Sequence, residues 1–161
     1  MARVLIVGCG GRGQALARDL SAAGHAVRGT TREPARAEAI RAAGAEPYVG
    51  DPDRIATLMD ALVGTTIVCW LMGSAEGPNA QDLHGGRLRM LCEKLVDTPV
   101  RGLVYEAGGS VPFAWRQEGE LIARAARATW NIPLEVVERD PSECDAWRAD
   151  MAAAVERLLA V

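Results

Sequence analysis

The chain has little lysine, histidine or cysteine, and each shortage removes a class of chemistry. Among its 18 Lys and Arg residues, Lys94 is the only lysine, so lysine-based catalysis has a single candidate residue. The two histidines, His25 and His84, have no carboxylates beside them at metal-ligand spacing, so no metal is expected. The 4 cysteines form no C-x-x-C pair, which favours reduced thiols in a cytoplasmic protein over a zinc site or a disulfide framework.

Excess positive charge and long apolar runs are missing as well. The net charge of −3 gives no electrostatic reason to expect nucleic acid or a membrane surface as a partner. No apolar run approaches the ~18 residues that a membrane span needs, and the first residues lack the pattern of a signal peptide. With 49% hydrophobic and 24% charged residues, the 161-residue chain has the composition and size of one globular domain.

Apolar runs and helical patterns alternate along the whole chain. The apolar, β-branched runs are typical of strands that are buried on both faces of a parallel sheet. Between them, apolar residues recur at helical spacing, and Asp51 is the predicted N-cap of the third helix. These patterns predict strands at 4–7, 25–29, 45–49, 65–71, 100–106 and 134–138, and helices at 14–23, 33–43, 52–62, 82–96, 115–130 and 142–159.

Six strand–helix pairs with short connections predict a three-layer α/β structure, the doubly wound Rossmann fold. Its six parallel strands are expected in the order 3-2-1-4-5-6, with right-handed crossovers. The six pairs use all of residues 1–161, so we expect one domain and no separate second domain for a substrate. The apolar faces of the later helices are compatible with a homodimer.

A glycine-rich segment follows the first strand and opens the first helix. It carries the pattern G-x-G-x-x-G at Gly8, Gly10 and Gly13. Glycines there allow a tight turn, close approach of the backbone to a pyrophosphate and close helix–strand packing. Backbone N–H groups and the positive end of the helix dipole then face the phosphates. Because strand, turn, helix and second strand follow in order, we predict a dinucleotide site that also includes Gly11 and Arg12.

The end of the second strand determines which nicotinamide cofactor is expected. An acidic residue ~20 residues after the glycine turn would hold the ribose 2′-OH of NAD. This chain has Thr30, Thr31 and Arg32 there, and Glu33 lies one position further on. Hydroxyls and a guanidinium suit a 2′-phosphate, and Arg12 is a second candidate to bind it. NADP(H) is therefore expected over NAD(H), with a solvated surface role as the alternative for Arg32.

Several segments resemble the atypical extended short-chain dehydrogenases/reductases, which are NAD(P)-binding, epimerase/dehydratase-like proteins. The resemblance is carried by VLIVGCGGRG at 4–13, GHAVRGTTR at 24–32, GAE at 44–46, GD at 50–51 and GLVY at 102–105. It implies that Asp51 lies beside the adenine. It also implies that the backbone of Leu71, Met72 and Gly73 lines the cofactor beyond the pyrophosphate, and that Glu106 approaches the nicotinamide.

The catalytic motif of that family is missing. The family uses a serine after the fifth strand and a Tyr-x-x-x-Lys pair, in which the lysine lowers the tyrosine pKa. Tyr48 and Tyr105 lie in predicted strands without a lysine four residues on, and Ser110 matches the serine only approximately. Ser110 and Glu106 are the two candidate catalytic residues. Ser110 is a candidate through its match to the family serine, and Glu106 because a desolvated carboxyl at this position can transfer protons. A loop-capping role is the alternative for both.

Three other side chains have both a functional and a structural interpretation. Trp70 could line a pocket over the nicotinamide, although packing in the core is favoured. His84 could titrate near neutral pH, but a loop or surface position is expected. Cys9 lies near a helix N-terminus, which can activate a thiol, although a small residue tolerated in a tight loop is favoured.

Two functions from different classes are consistent with these observations. One is a small NADP-dependent oxidoreductase that acts on a small-molecule substrate the sequence does not identify. The other is a non-catalytic NADP(H)-binding protein, such as a redox sensor or regulator.

Overall fold

The computed structural model describes residues 2–161, and within them six strands form one parallel sheet. The strands pair in the order β3-β2-β1-β4-β5-β6, and every neighbouring pair is parallel. This confirms the predicted doubly wound sheet and its strand order. The strands are β1 Arg3–Val7, β2 Ala26–Thr31, β3 Glu46–Val49, β4 Ile67–Trp70, β5 Gly102–Glu106 and β6 Leu134–Val137.

Helices cover both faces of the sheet, because alternate strand residues supply two separate cores. On one face Val4 and Ile6 pack with α1, α2 and α5, and on the other Leu5 and Val7 pack with α3 and α4. No helix within residues 2–161 has the length and apolarity that crossing a membrane requires. The helices are α1 Gly11–Ala22, α2 Ala37–Ala42, α3 Gly86–Leu95, α4 Phe113–Trp130 and α5 Cys144–Leu159.

The predicted helix at 52–62 is wrong. Two 3₁₀ turns, Ile55–Leu58 and Asp60–Leu62, occupy this stretch. The Asp51 carboxylate accepts the backbone N–H of Asp53 at 2.9 Å, and the Thr57 hydroxyl donates to backbone oxygen atoms as close as 2.7 Å. These side chains compete with the helical hydrogen-bond ladder for the same backbone groups, which explains why no α-helix forms.

Two other predicted helices are divided. The segment predicted at 33–43 begins with the 3₁₀ turn Pro34–Arg36 and continues as α2. The segment predicted at 82–96 begins with the 3₁₀ turn Asp82–His84 and continues as α3. The break between them is Gly85, whose angles of φ −131° and ψ −115° lie outside the helical region.

Candidate functional site

A cleft of about 530 Å³ lies where β1, β2, β3 and β4 end. It is centred on β1, which pairs with β2 on one side and β4 on the other. Ligands of doubly wound sheets bind at this point, because the connections leave in opposite directions there and open a crevice. Of the residues predicted to bind the cofactor, every one lines the cleft except Gly73.

The glycine turn forms one wall of the cleft and has two kinds of glycine. Gly8 has φ +90°, and a Cβ there would lie 2.7 Å from the carbonyl oxygen of Leu71, so a larger residue does not fit. At Gly10 and Gly11, a Cβ would meet nothing within 4 Å, because both face the open cleft. The first N–H groups of α1 have no partner within the helix and are suited to an anion.

Two threonine hydroxyls at the end of β2 hold the protein backbone. Thr30 Oγ1 accepts the backbone N–H of Gly8 at 3.1 Å. Thr31 Oγ1 accepts the N–H of Glu33 at 3.1 Å and donates to its carbonyl oxygen at 3.2 Å. Arg32, by contrast, is exposed, and no hydrogen bond or ion pair of its side chain is found among residues 2–161. Arg32 is therefore the group at this strand end that is available to a ligand.

Arg36 is a second cation on the cleft that the sequence analysis missed. It lines the cleft from the 3₁₀ turn after β2, and its Nε lies 2.9 Å from a carboxylate oxygen of Glu33. The pair occupies the carboxylate that directly follows Arg32 in the sequence. The sequence offered one signal for Arg36, its position four residues after Arg32. The prediction of one continuous helix over 33–43 hid the significance of that spacing.

Asp53 connects two of the cleft walls. Its carboxylate accepts a hydrogen bond from Asn79 Nδ2 at 2.6 Å and another from Arg87 Nε at 3.3 Å. The loop after β3 is thereby joined to the segment after β4 and to α3. Asp51, which the family resemblance places beside an adenine, lines the cleft in the same loop.

Arg12 extends from the glycine turn across to β5. Its Nη2 lies 2.7 Å and 3.0 Å from the two carboxylate oxygens of Glu106, and its guanidinium stacks 5.5 Å from the ring centre of Trp147 in α5. Opposite charges and the aromatic face account for this placement. The guanidinium is thus held by β5 and α5. Binding of a 2′-phosphate by Arg12 together with Arg32 stays a prediction.

Glu106 lies beneath the cleft. Its side chain is 0% exposed, and Oε1 also accepts the backbone N–H of Gly73 at 2.8 Å. Burial raises the pKa of this carboxyl, while Arg12 and the Gly73 N–H oppose that rise. Both oxygens are engaged by the protein, an arrangement that matches the loop-capping alternative. Ser110 is exposed outside the cleft, and its N–H donates to Ser74 Oγ at 3.3 Å.

The expected surface position of His84 is wrong. The side chain is 0% exposed, and Nε2 lies 2.7 Å from the carbonyl oxygen of Met72. That carbonyl can only accept, so Nε2 carries the proton and Nδ1 accepts from the Tyr105 hydroxyl at 2.6 Å. Burial lowers the pKa of His84 and keeps the ring neutral. Gly119 leaves the space, since a Cβ there would lie 2.0 Å from the tyrosine oxygen.

Cys9 and Trp70 are core residues. Cys9 is 3% exposed, and burial raises the pKa of its thiol to about 12, so the thiolate is not available near neutral pH. Its sulfur packs against Gly29, where a Cβ would lie 2.6 Å away. Trp70 is 0% exposed, as expected for core packing, and its Nε1 donates to the carbonyl oxygen of Leu83 at 2.9 Å.

Comparison with known families relates this cleft to a ligand class. Residues 8–128 match a family model described as NAD(P)H-binding. The chain belongs to the NAD(P)H-binding family. Among curated protein sequences, none matches the chain.

Several solved structures share the Rossmann fold of this chain. BdcA (YjgI) from E. coli has a TM-score of 0.73 at 18% identity, and the match covers 94% of this chain and 88% of that one. Triphenylmethane reductase from Citrobacter sp., complexed with NADP(H), has a TM-score of 0.65 at 17% identity, with 85% and 49% covered. UDP-glucuronic acid 4-epimerase from Bacillus cereus, in complex with NAD, has a TM-score of 0.66 at 14% identity, and the match covers 87% of this chain and 60% of that one. This chain spans about half the length of the first two structures it matches, 51% and 55%.

Proposed function

We propose that this NAD(P)H-binding protein binds NADP(H) in preference to NAD(H) in the cleft at the glycine turn. The observation that carries the proposal is the charge at the end of β2. Arg32 is exposed there, and the carboxylate that follows it in the sequence, Glu33, is paired with Arg36. A guanidinium binds a 2′-phosphate through charge-assisted hydrogen bonds, whereas a free carboxylate would repel it.

The rest of the cofactor follows from this assignment. The pyrophosphate lies against Gly10, Gly11 and the N-terminus of α1, where the backbone is open to the cleft. The adenine lies towards Asp51, and the chain beyond the pyrophosphate passes Leu71 and Met72. We further propose that residues 1–161 act as one dinucleotide-binding domain of the atypical extended short-chain dehydrogenase/reductase type, because all six strands belong to one sheet.

Binding without turnover is the function that the site supports best. The carboxylate of Glu106 is buried and engaged on both oxygens, and Ser110 does not line the cleft. The second candidate is a small oxidoreductase in which Glu106 transfers the proton. The raised pKa of Glu106 at the end of β5 favours this candidate. NADPH oxidation with a carbonyl compound that is abolished by Glu106→Gln would support it.

The cofactor preference is tested by Arg32→Ala. Losing a guanidinium–phosphate interaction worth about 1.5–3 kcal/mol should weaken NADPH binding by about 10- to 150-fold. NADH has no 2′-phosphate, so its affinity should change by less than about threefold. Titration of the intrinsic tryptophan fluorescence with each cofactor measures both constants.

The matched control is Arg127→Ala, because Arg127 is an exposed arginine on α4 outside the cleft. It removes the same charge from the molecule and should leave both affinities unchanged. Equal losses of NADPH and NADH binding in Arg32→Ala, or no loss of either, would contradict the proposal.

A further inference from the structure

The sheet ends on each side in a strand that has a neighbour on one side only. These edge strands are β3 and β6. In an edge strand, the N–H and C=O groups that point away from the neighbouring strand can pair with another chain, so proteins usually protect such edges, often with a proline. The two edges of this protein differ in that protection.

A proline protects the outer side of β3. The N–H of Gly50 donates to the carbonyl oxygen of Thr31 at 3.0 Å, and Thr31 is in register with Val49. Because backbone groups alternate in direction along a strand, those of Tyr48 face β2 and those of Pro47 face outward. Proline has no N–H, so a strand that approached this side would find a donor only at Val49.

The outer side of β6 has no proline at an outward position. The N–H of Leu103 donates to the carbonyl oxygen of Pro133 at 2.9 Å, and Leu103 is in register with Leu134. Pro133 and Glu135 therefore direct their backbone groups towards β5. Leu134 and Val136 direct theirs outward, where no strand or side chain within residues 2–161 bonds to them. This side of the sheet thus offers two donors and two acceptors to an added strand.

A groove of about 430 Å³ passes along this outer side of β6. Its lining includes Arg124 and Arg127 of α4, residues 133–135 and Arg157 of α5. Because α4 and α5 pack on opposite faces of the sheet and β6 is its last strand, a groove that touches both helices passes the edge. A second groove of about 310 Å³ shares residues with it, and there Trp130 is 39% exposed. Unpaired backbone groups and apolar surface therefore lie side by side.

The groove carries an excess of positive charge. Arg124 is paired with Glu120 at 2.9 Å, and Arg157 is paired with Glu135 at 2.7 Å. Arg127 is exposed and has no ion pair among residues 2–161. Among the described residues that line the groove, three are arginines and one, Glu135, is a carboxylate. In a chain whose net charge is −3, this local excess favours an acidic partner.

A second copy of the chain fits this edge less well. If two β6 strands paired antiparallel through Leu134 and Val136, the Glu135 side chains of the two copies would lie directly opposite each other. Like charges in that position destabilise a strand pair. The arginines of the two grooves would also come together, so charge complementarity favours a different, acidic chain.

We propose that the outer side of β6 is a docking site for an extended, acidic segment of another protein, which adds to the sheet as a further strand. Backbone hydrogen bonds to Leu134 and Val136 hold the segment, and its carboxylates meet Arg127 and the neighbouring arginines. None of the described residues that line this groove lines the dinucleotide cleft. The site is therefore separate from the one that binds the cofactor.

A short, blocked peptide of alternating valine and glutamate tests the proposal on the wild-type chain. Fluorescence anisotropy of the labelled peptide should show saturable binding that weakens as salt is added. The same peptide with lysine in place of glutamate should bind at least about tenfold more weakly, and an acidic peptide with a methylated backbone should not bind. No saturation by the acidic peptide up to about 1 mM, or equal affinity for any two of the three peptides, would overturn the proposal.

Amide hydrogen exchange locates the bound peptide. The acidic peptide should slow exchange at Leu134 and Val136 by about tenfold or more, and should leave Glu135 unchanged because its N–H already faces β5. Binding without slower exchange at these two amides would overturn the proposal. Slow exchange at both amides that appears without peptide as the protein concentration rises would identify a second copy as the occupant, and would overturn the proposal of an acidic partner.

Arg127→Glu reverses the charge of the unpaired arginine in the groove. It should weaken binding of the acidic peptide by at least about threefold and leave NADPH binding unchanged. Arg18→Glu is the matched control, because Arg18 is an exposed arginine of α1 outside both grooves and undergoes the same change of charge. Equal weakening in the two variants would show an effect of net charge alone and would contradict a site at β6.

Discussion

Glycines in this protein have two distinct roles, and the space around each position separates them. At Gly10, a Cβ would project into the empty cleft without meeting any atom within 4 Å. At Gly73, a Cβ would lie 1.8 Å from the carbonyl oxygen of Gly108 and 2.8 Å from Glu106 Oε1. The first glycine leaves room for a ligand, and the second allows two loops of the fold to touch.

Alanine substitution at these two positions should therefore have opposite consequences. Gly10→Ala should change the free energy of unfolding by less than about 1 kcal/mol, because φ is −80° and the space is free. It should weaken NADPH binding by about tenfold or more, since the methyl group occupies the position where the pyrophosphate approaches. Gly73→Ala should lower stability by at least about 2 kcal/mol, because backbone atoms must move. Urea unfolding and NADPH titration of both variants measure these effects.

The two variants act as controls for each other. Unimpaired NADPH binding by a folded Gly10→Ala protein would show that the pyrophosphate does not lie at the glycine turn. A Gly73→Ala variant as stable as the wild type would show that the two loops are not in contact.

At the residue scale, the sequence predicted those features that depend on residues close together in the chain. The glycine motif and Arg32 could be recognised because the chemistry depends on spacing within one strand–turn–helix–strand unit. The Arg12–Glu106 pair could not be predicted, since its members lie 94 positions apart and nothing in either neighbourhood indicates the other. The inward orientation of His84 depends on Gly119 and Tyr105, which come from different elements.

At the scale of the elements, His84 joins three parts of the fold. It lies in the 3₁₀ turn before α3 and bonds to the carbonyl of Met72 after β4 and to Tyr105 in β5. Because Met72 lines the cleft, this network positions one of its walls.

The network should make stability depend on pH. Burial lowers the pKa of His84 from 6.5, so the folded state binds its proton less readily than the unfolded state does. The contribution of the neutral His84 ring to the free energy of unfolding is fully present above about pH 6.5. It is lost as the pH falls below that value, by up to about 1.4 kcal/mol per pH unit. The charges of Arg116 and Glu118 act on the ring in opposite directions and are smaller influences than burial.

Urea unfolding of wild type and His84→Gln between pH 7.5 and 5 measures this contribution as the difference between the two slopes. The wild type should lose stability relative to the variant as the pH falls, whatever the variant's absolute stability. Parallel curves for wild type and His84→Gln would contradict the buried, neutral assignment.

Strands were predicted more accurately than helices for a physical reason. The central strands are buried on both faces, and their continuous apolar runs are visible in the sequence. The helix predicted at 52–62 failed because hydrogen bonds from Asp51 and Thr57 to the backbone override a periodic pattern. The division at Gly85 reflects a single backbone conformation that hydropathy does not reveal.

At the scale of the whole molecule, the two halves of the sheet edge differ. The β1, β2 and β3 side presents open glycines and a cation to the cleft. The β5 and β6 side is filled by the Arg12–Glu106 pair, Trp147 and the joined loops. The strand order could be predicted because alternating elements with short, right-handed connections leave few topologies. The filling of the β5 and β6 side could not be predicted, because it depends on side chains that meet only in the folded protein.

The account depends most on one claim, that the cleft at the glycine turn binds NADP(H). Amide chemical-shift mapping of the ¹⁵N-labelled protein during an NADPH titration tests it most directly. The account predicts saturable shifts that are largest at Gly10, Gly11 and Gly13 and at Arg32 and its neighbours. Shifts that do not saturate, or saturable shifts confined to residues outside the cleft, would contradict it.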